Sequence, residues 1–150
     1  MPERLVDRLR ALEDREAIRD LIARYGPLAD SGQADAVAAL FAEDGIYAVG
    51  GMGEAKGRAA IAALIEGPVH QSLMADGCAH ILTSPAIELA GDHATARCHS
   101  IVFRHEDGEW APVRVAANRW ELARGPEGWQ VTRRDNALLD GSAAARLLLS

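Results

Sequence analysis

The sequence predicts an α+β fold in which N-terminal helices cover one face of a curved, mostly antiparallel sheet. Two observations carry that reading. In the first third, apolar residues fall at Ile18, Leu21, Ile22, Tyr25 and Leu28, the spacing of one helix face. From residue 78 the pattern changes to four strand-like runs, CAHILTSPAIEL, HATARCHSIVFR, APVRVAANRWELA and GWQVTRRDNALL, separated by the turn-rich AGD, HEDGEW and RGPEG. Connections this short force antiparallel neighbours, and helices with one apolar face must bury it against the sheet. No repeat, linker or low-complexity segment divides the chain, and 150 residues suit a single domain spanning residues 1–150.

The elements follow in order. The first helix ends in ARYGPLADSG, where Gly26-Pro27 predicts a kink or a restart, because proline lacks the amide donor and clashes with the preceding turn. Asp20 and Arg24 add an i,i+4 pair on its wet side. SGQADAVAALFAEDG reads as a second, short helix ended by Gly45, with IYAV as a brief strand after it. GRAAIAALIEG reads as a third helix, stopped by Gly67-Pro68. The four strands complete the chain, with Trp120 and Trp129 as core residues.

Composition excludes several classes of function. The net charge is −6, with 16 Lys and Arg against 22 Asp and Glu. An acidic chain with scattered basic residues lacks the clustered positive face that nucleic acid requires, and it is poorly suited to anionic lipid. No apolar run approaches the ~20 residues of a membrane span. The opening MPERLVDRLRALEDRE is too charged for a secretory signal. Cys78 and Cys98 lack CxxC spacing and read as free thiols, which with the missing leader predicts a cytoplasmic protein. GGMGEAKG lacks the order of a phosphate loop. The histidines are not at metal-ligand spacing, so neither a metal nor another cofactor is expected.

A curved sheet with helices across its mouth encloses a pocket, and the polar residues able to converge there are few. His80 stands near the start of an otherwise apolar strand; such a histidine is commonly a hydrogen-bonded core or rim residue. With a tight AGD turn pairing Leu89 with Ala94, His80 lies opposite Phe103 and Ser84 opposite His99, which puts both histidines on one face; a one-residue change separates them. Asp30, in PLADSGQAD, is good cap and turn chemistry and sits off the Ile18–Tyr25 stripe. Asn118 interrupts a strand, where asparagine is depleted, and so wants a hydrogen-bonding reason. Of the adjacent Arg133 and Arg134, one points in and the other out.

Taken together, AIRDLIARYGPLADSGQADAVAALFAEDGIY and GWQVTRRDNALLDGS resemble the SnoaL-like branch of the nuclear-transport-factor-two-like superfamily. The resemblance covers nearly the whole chain in element order. It implies a cone-shaped α+β barrel, a cystatin-like roll with an internal pocket. Its closest functional patterns are scytalone dehydratase and hexachlorocyclohexane dehydrochlorinase, both built on a histidine–aspartate dyad. The resemblance implies that Asp30 and His80 form that pair, that Asn118 binds substrate as in the dehydratase, and that Arg134 stands near a leaving group as in the dehydrochlorinase. The chain departs from the dehydratase at Ala29, where that family has a tyrosine, and at Ala116, where it has a serine. A second dehydratase histidine aligns near Arg104 rather than with His99, and of the two water-holding tyrosines only Tyr47 has a counterpart. Tyr25 matches the phenolic donor of ketosteroid isomerase, but IYAVGG lacks that enzyme's carboxylate base. The Asp-Arg-Asp relay of limonene epoxide hydrolase has no clear counterpart.

The function implied is metal-free β-elimination by a dehydratase-like lyase acting on a small cyclic or aromatic hydroxy or carbonyl compound. In this reading Asp30 and His80 are catalytic, and Tyr25, Tyr47, His99, Asn118, Trp120 and Arg134 bind substrate. The rival is a non-catalytic role on the same fold, holding an apolar ligand or acting as an accessory subunit. Pocket lining is expected from Ile18, Leu21, Ile22, Tyr25, Leu40, Leu82, Phe103 and Trp120, with few charges to hold a polyanion. The outer sheet face, apolar through Val113, Val115 and Ala117, predicts a homo-oligomer, a trimer or a dimer.

Overall fold

A computed structural model describes residues 4–150; Met1, Pro2 and Glu3, part of the charged opening segment, lie outside the described residues. The helix α1 (Leu5–Asp30) and the short α2 (Ala34–Ala39) lead into β1 (Phe41–Val49) and β2 (Gly53–Lys56). Next come α3 (Arg58–Glu66), α4 (Pro68–Asp76), β3 (Cys78–Leu82) and β4 (Ala86–Ala90). The long strands β5 (His93–Glu106), β6 (Glu109–Gly125) and β7 (Gly128–Leu138) and a final α5 (Ala143–Leu149) complete the chain. One sheet runs in the order β2-β1-β7-β6-β5-β3, with β4 also paired to β5. It stays open, because β2 and β3 are edges, and every pairing is antiparallel except β1 with β7. The α+β prediction therefore holds.

The predicted stripe of α1 is the one buried. Ile18, Ile22 and Tyr25 pack with Val37, Phe41, Ile61, Trp120, Leu122 and Val131 to close the narrow end of the cone. Trp129 is also buried, and its indole N–H donates to Asp14 of α1 at 3.1 Å.

Several elements differ from the sequence reading. Gly26-Pro27 does not break α1, which runs unbroken through Pro27 to Asp30. The glycine serves a close approach instead: a Cβ there would collide with the carbonyl oxygen of His80. FAEDG belongs to β1 rather than to the second helix, because fully buried Phe41 pairs with Val131 across a register shift that reaches to Ile46. Gly67-Pro68 ends one helix and starts another. Pro68 stands at the N-terminus of α4, where the missing amide costs nothing. CAHILTSPAIEL is two strands, and the break at residues 83–85 shifts the register by one. Leu89 does face Ala94, but His80 faces Val102 rather than Phe103.

The outer face is also corrected. Ala117 is fully buried on a sheet covered by α5, which packs on β6 and β7. Val113 falls at a second register shift and lines the inner cavity. Val115 stays outside and exposed, in line with Ile101 and Ile81 across β6, β5 and β3.

Candidate functional site

The open end of the cone encloses a cavity of about 810 Å³. The strand pleat decides what enters it. On β5 the inward row is Cys98, Ser100, Val102 and Arg104; on β6 it is Arg114, Ala116, Asn118 and Trp120; on β7 it is Arg134 and Asn136. Residues from α3 and α4, among them Leu64, Ile65, Val69, His70 and Leu73, form the opposing wall.

Asp30 and His80 meet. The carboxylate Oδ1 lies 2.7 Å from His80 Nδ1, and the His80 amide donates to both carboxylate oxygens at 3.1 and 3.0 Å. Asp30 is reached from the last turn of α1. Gly26 presses on the His80 carbonyl, and Asp30, four residues on, shares that helix face. Burial opposes ionisation of Asp30, but the ring and amide hydrogen bonds of His80 outweigh it and hold the carboxyl below its ordinary range. An ionised carboxylate only accepts, so Nδ1 carries a hydrogen, and in the neutral ring Nε2 is the nitrogen with the lone pair. His80 lines the cavity; Asp30 stands behind it.

Cys78 adds a weak donor to the same carboxylate, Sγ to Oδ1 at 3.7 Å. Burial, and then the Asp30 charge, push its thiol up to about 11, so it remains an S–H donor. Asp30, Cys78 and His80 present donor atoms within 4.8 Å of one another, but those donors are committed to each other.

His70 was not anticipated from the sequence. It is buried, its Nε2 lies 2.7 Å from the Ala29 carbonyl, and its ring centroid is 5.3 Å from that of His80. A carbonyl only accepts, so Nε2 is the protonated nitrogen. The signal that finds it is Pro68, read as a helix start rather than a stop.

Arg134 turns inward and Arg133 outward, the latter paired with Asp135 and Glu54. Arg134 is 1% exposed, and its guanidinium lies 4.2 Å from the ring centroids of Tyr25 and Trp120 and 4.5 Å from that of Tyr47. Burial pushes the Tyr25 phenol above its ordinary value, with Tyr47 adding to the rise, so the phenol stays neutral. Arg134 Nε donates to Asn118 Oδ1 at 2.9 Å, and Nη1 has no hydrogen-bond partner.

Asn118 is the hub of a polar network. Its Oδ1 also accepts from Asn136 Nδ2 at 3.1 Å, and its own Nδ2 donates to Ser100 Oγ at 2.7 Å. Asn136 Oδ1 in turn accepts from Arg114 Nη2 at 2.6 Å. Asn118 and Trp120 are both fully buried and have no cavity surface. They orient Arg134 rather than meet a ligand, which corrects their expected substrate contact. Ser100, Arg134, Asn136 and Arg114 are the groups of this network that do line the cavity. Asn136 carries the same strand-asparagine signal as its partner Asn118. His99 is a further correction. The one-residue shift before β4 leaves it exposed on the face opposite His80, its amide bound to Thr83 Oγ1 at 2.9 Å. Of the expected apolar lining, Tyr25 and Leu82 reach the cavity, whereas Ile18, Leu21, Ile22 and Leu40 belong to the sealed core and Phe103 faces away.

A SnoaL-like domain model matches residues 10–135. The chain belongs to the SnoaL-like family. A 1.16 Å crystal structure of an NTF2-like protein with a cystatin-like fold, from Novosphingobium aromaticivorans, is 64% identical over 97% of this chain and 95% of its own, with a TM-score of 0.96. A protein provisionally described as an aromatic ring hydroxylase from the same organism is 30% identical, covering 85% of this chain and 90% of its own, with a TM-score of 0.71. Another from that organism, provisionally named a scytalone dehydratase, is 20% identical over 84% of both chains with a TM-score of 0.71; a likeness at that level carries the fold alone. No curated protein matches the sequence. Among the described residues no helix is long and apolar enough to cross a membrane.

Proposed function

We propose that this SnoaL-like protein is a dehydratase-like lyase that carries out metal-free β-elimination on a small cyclic or aromatic hydroxy-carbonyl compound. The observation that carries the proposal is the Asp30–His80 pair at the wall of the cavity, with His80 Nε2 as the uncommitted nitrogen. In this mechanism His80 Nε2 takes a proton from the carbon beside the substrate carbonyl. The C–H electrons form an enolate, whose oxygen is held by Arg134 and the Ser100 hydroxyl. The enolate then collapses to a C=C bond, the adjacent C–O bond breaks, and the imidazolium returns its proton to the departing hydroxyl, releasing water. Asp30 holds the tautomer and stabilises the imidazolium. Tyr25, Tyr47 and Trp120 hold Arg134 by their ring faces.

The test is direct. In D2O, 3-hydroxycyclohexanone or 3-hydroxy-1-tetralone exchanges its α-hydrogen and forms the enone or 1-naphthol with the wild type, and does neither with His80→Asn. Binding of these ketones without exchange or product assigns the cavity to ligand holding instead.

The reading extends to assembly. The protein works in the cytoplasm as one domain over residues 1–150, joined to further copies through the outer row of exposed Ile81 and Val115 and half-buried Ile101, most simply as a trimer. Light scattering at micromolar concentration gives a multiple of 16.0 kDa; the monomer mass overturns it.

A further inference from the structure

We propose that the ligand of this cavity carries a carboxylate, and that Arg114 is the residue that binds it. The inference rests on the reading above only in taking this cavity as the ligand site; it does not depend on elimination.

Charge is the first argument. Among the described residues no acidic side chain lines the cavity, whereas Arg104, Arg114 and Arg134 all do. Arg104 is neutralised by Asp76, Nε to Oδ2 at 2.8 Å. Arg114 and Arg134 have no such partner. The protein bonds of Arg114 are to neutral oxygens and use one nitrogen: Nη2 donates to the Gly50 carbonyl at 2.9 Å and to Asn136 Oδ1 at 2.6 Å. Its Nε and Nη1 are uncommitted. A chain of net charge −6 thus keeps its cavity positive. Low-dielectric walls concentrate such a field on whatever anion enters.

Position is the second argument. Arg114 faces Val102, and Val102 faces His80, so the three form one row across β6, β5 and β3. Two strand spacings put the Cα atoms of His80 and Arg114 ~10 Å apart. A ring lying over Val102 therefore meets the imidazole at one edge and the guanidinium at the other. Arg134, clamped between three aromatic faces, is placed for the reacting oxygen, whereas Arg114 is placed for a group that does not react.

Preorganisation is the third. Gly50 comes so close to β7 that a Cβ there would lie 2.6 Å from the Asn136 carbonyl oxygen, and its amide donates to that oxygen at 2.7 Å. This turn and the Asn136 side chain occupy both Nη2 hydrogens and fix the guanidinium plane, leaving Nε–H and Nη1 as charged donors that each reach a carboxylate oxygen singly.

Calorimetric titration with matched acid and amide pairs tests this: 1-naphthoate against 1-naphthamide, and cyclohexanecarboxylate against its amide. In the wild type at low salt the acid of at least one pair binds about tenfold or more tightly than its amide. Arg114→Gln removes that preference, Arg114→Lys keeps part of it, and His80→Asn leaves it intact. Equal binding within every pair, no binding of any acid, or a preference that survives Arg114→Gln overturns the proposal. Because His80→Asn is read by binding alone, loss of the elimination reading leaves this result standing, and the reverse.

Discussion

The two polar walls of the cavity are built on opposite principles. On the α1–β3 side, an acid, an amide, a thiol and an imidazole satisfy one another around Asp30 and leave a single nitrogen, His80 Nε2, with nothing to bind. On the β6–β7 side, Asn118 ties together Arg134, Asn136 and Ser100 without any acid. That wall keeps its positive charge. The first wall is suited to move a proton and the second to receive negative charge. Burying an unpaired cation is costly unless rings and amides compensate it, and here three aromatic faces and a carboxamide do so.

The largest effect expected from breaking this pairing is on turnover. His80→Ala lowers kcat/KM by about 10²–10⁴, the usual contribution of a positioned base, while the melting temperature stays near the wild type. Activity on the ketones named above and a thermal melt check both halves.

On the other wall, Asn118→Leu strands Arg134 Nε and Asn136 Nδ2 in the interior. Each unmet buried donor costs about 1–3 kcal/mol, so denaturant unfolding shows a loss of about 3 kcal/mol. Ligand affinity falls with it, because Arg134 loses its orienting acceptor.

The Asp30 side is sharpened by pH. Its folded pKa lies below the ordinary value, so its contribution to stability is complete above the unfolded carboxylate value of ~3.9 and is lost as pH falls through the lower folded value. The gap in melting temperature between wild type and Asp30→Asn therefore narrows below about pH 4. A gap that stays constant or widens below about pH 4 contradicts the assignment.

The smallest effect separates the adjacent arginines. Arg133→Gln removes only partly exposed ion pairs to Asp135 and Glu54, worth about 0–1 kcal/mol, and leaves turnover unchanged. Arg134→Gln removes the buried cation and lowers turnover. Equal responses mean that Arg134 has no part in the chemistry.

What was legible before the structure divides along physical lines. The α1 stripe and the strand runs were readable because burial imposes a period on the sequence. Asn118 was readable because an asparagine in a strand needs a partner. The Asp30–His80 pair was implied by family resemblance and not by periodicity, since Asp30 lies off the buried stripe on a second, small-residue face of α1 that begins at Gly26. His70 was hidden because Pro68 was read as a terminator although it initiates α4. His99 was misplaced because one residue gained at the Thr83–Pro85 break inverts which strand neighbours share a face.

By itself the sequence determined the class of fold, the long strands, the buried tryptophans and the composition of the site, because these follow from local periodicity and from which residue types tolerate burial. Only the tertiary structure decided which polar groups meet. That outcome rests on three non-local events: the close approach of Gly26 to the His80 carbonyl, the register of β3 on β5, and the turn that brings Gly50 and Asn136 to Arg114. Each depends on chain segments distant in sequence packing at ångström precision, and a one-residue slip at any of them would turn the same side chains to the other face of the sheet.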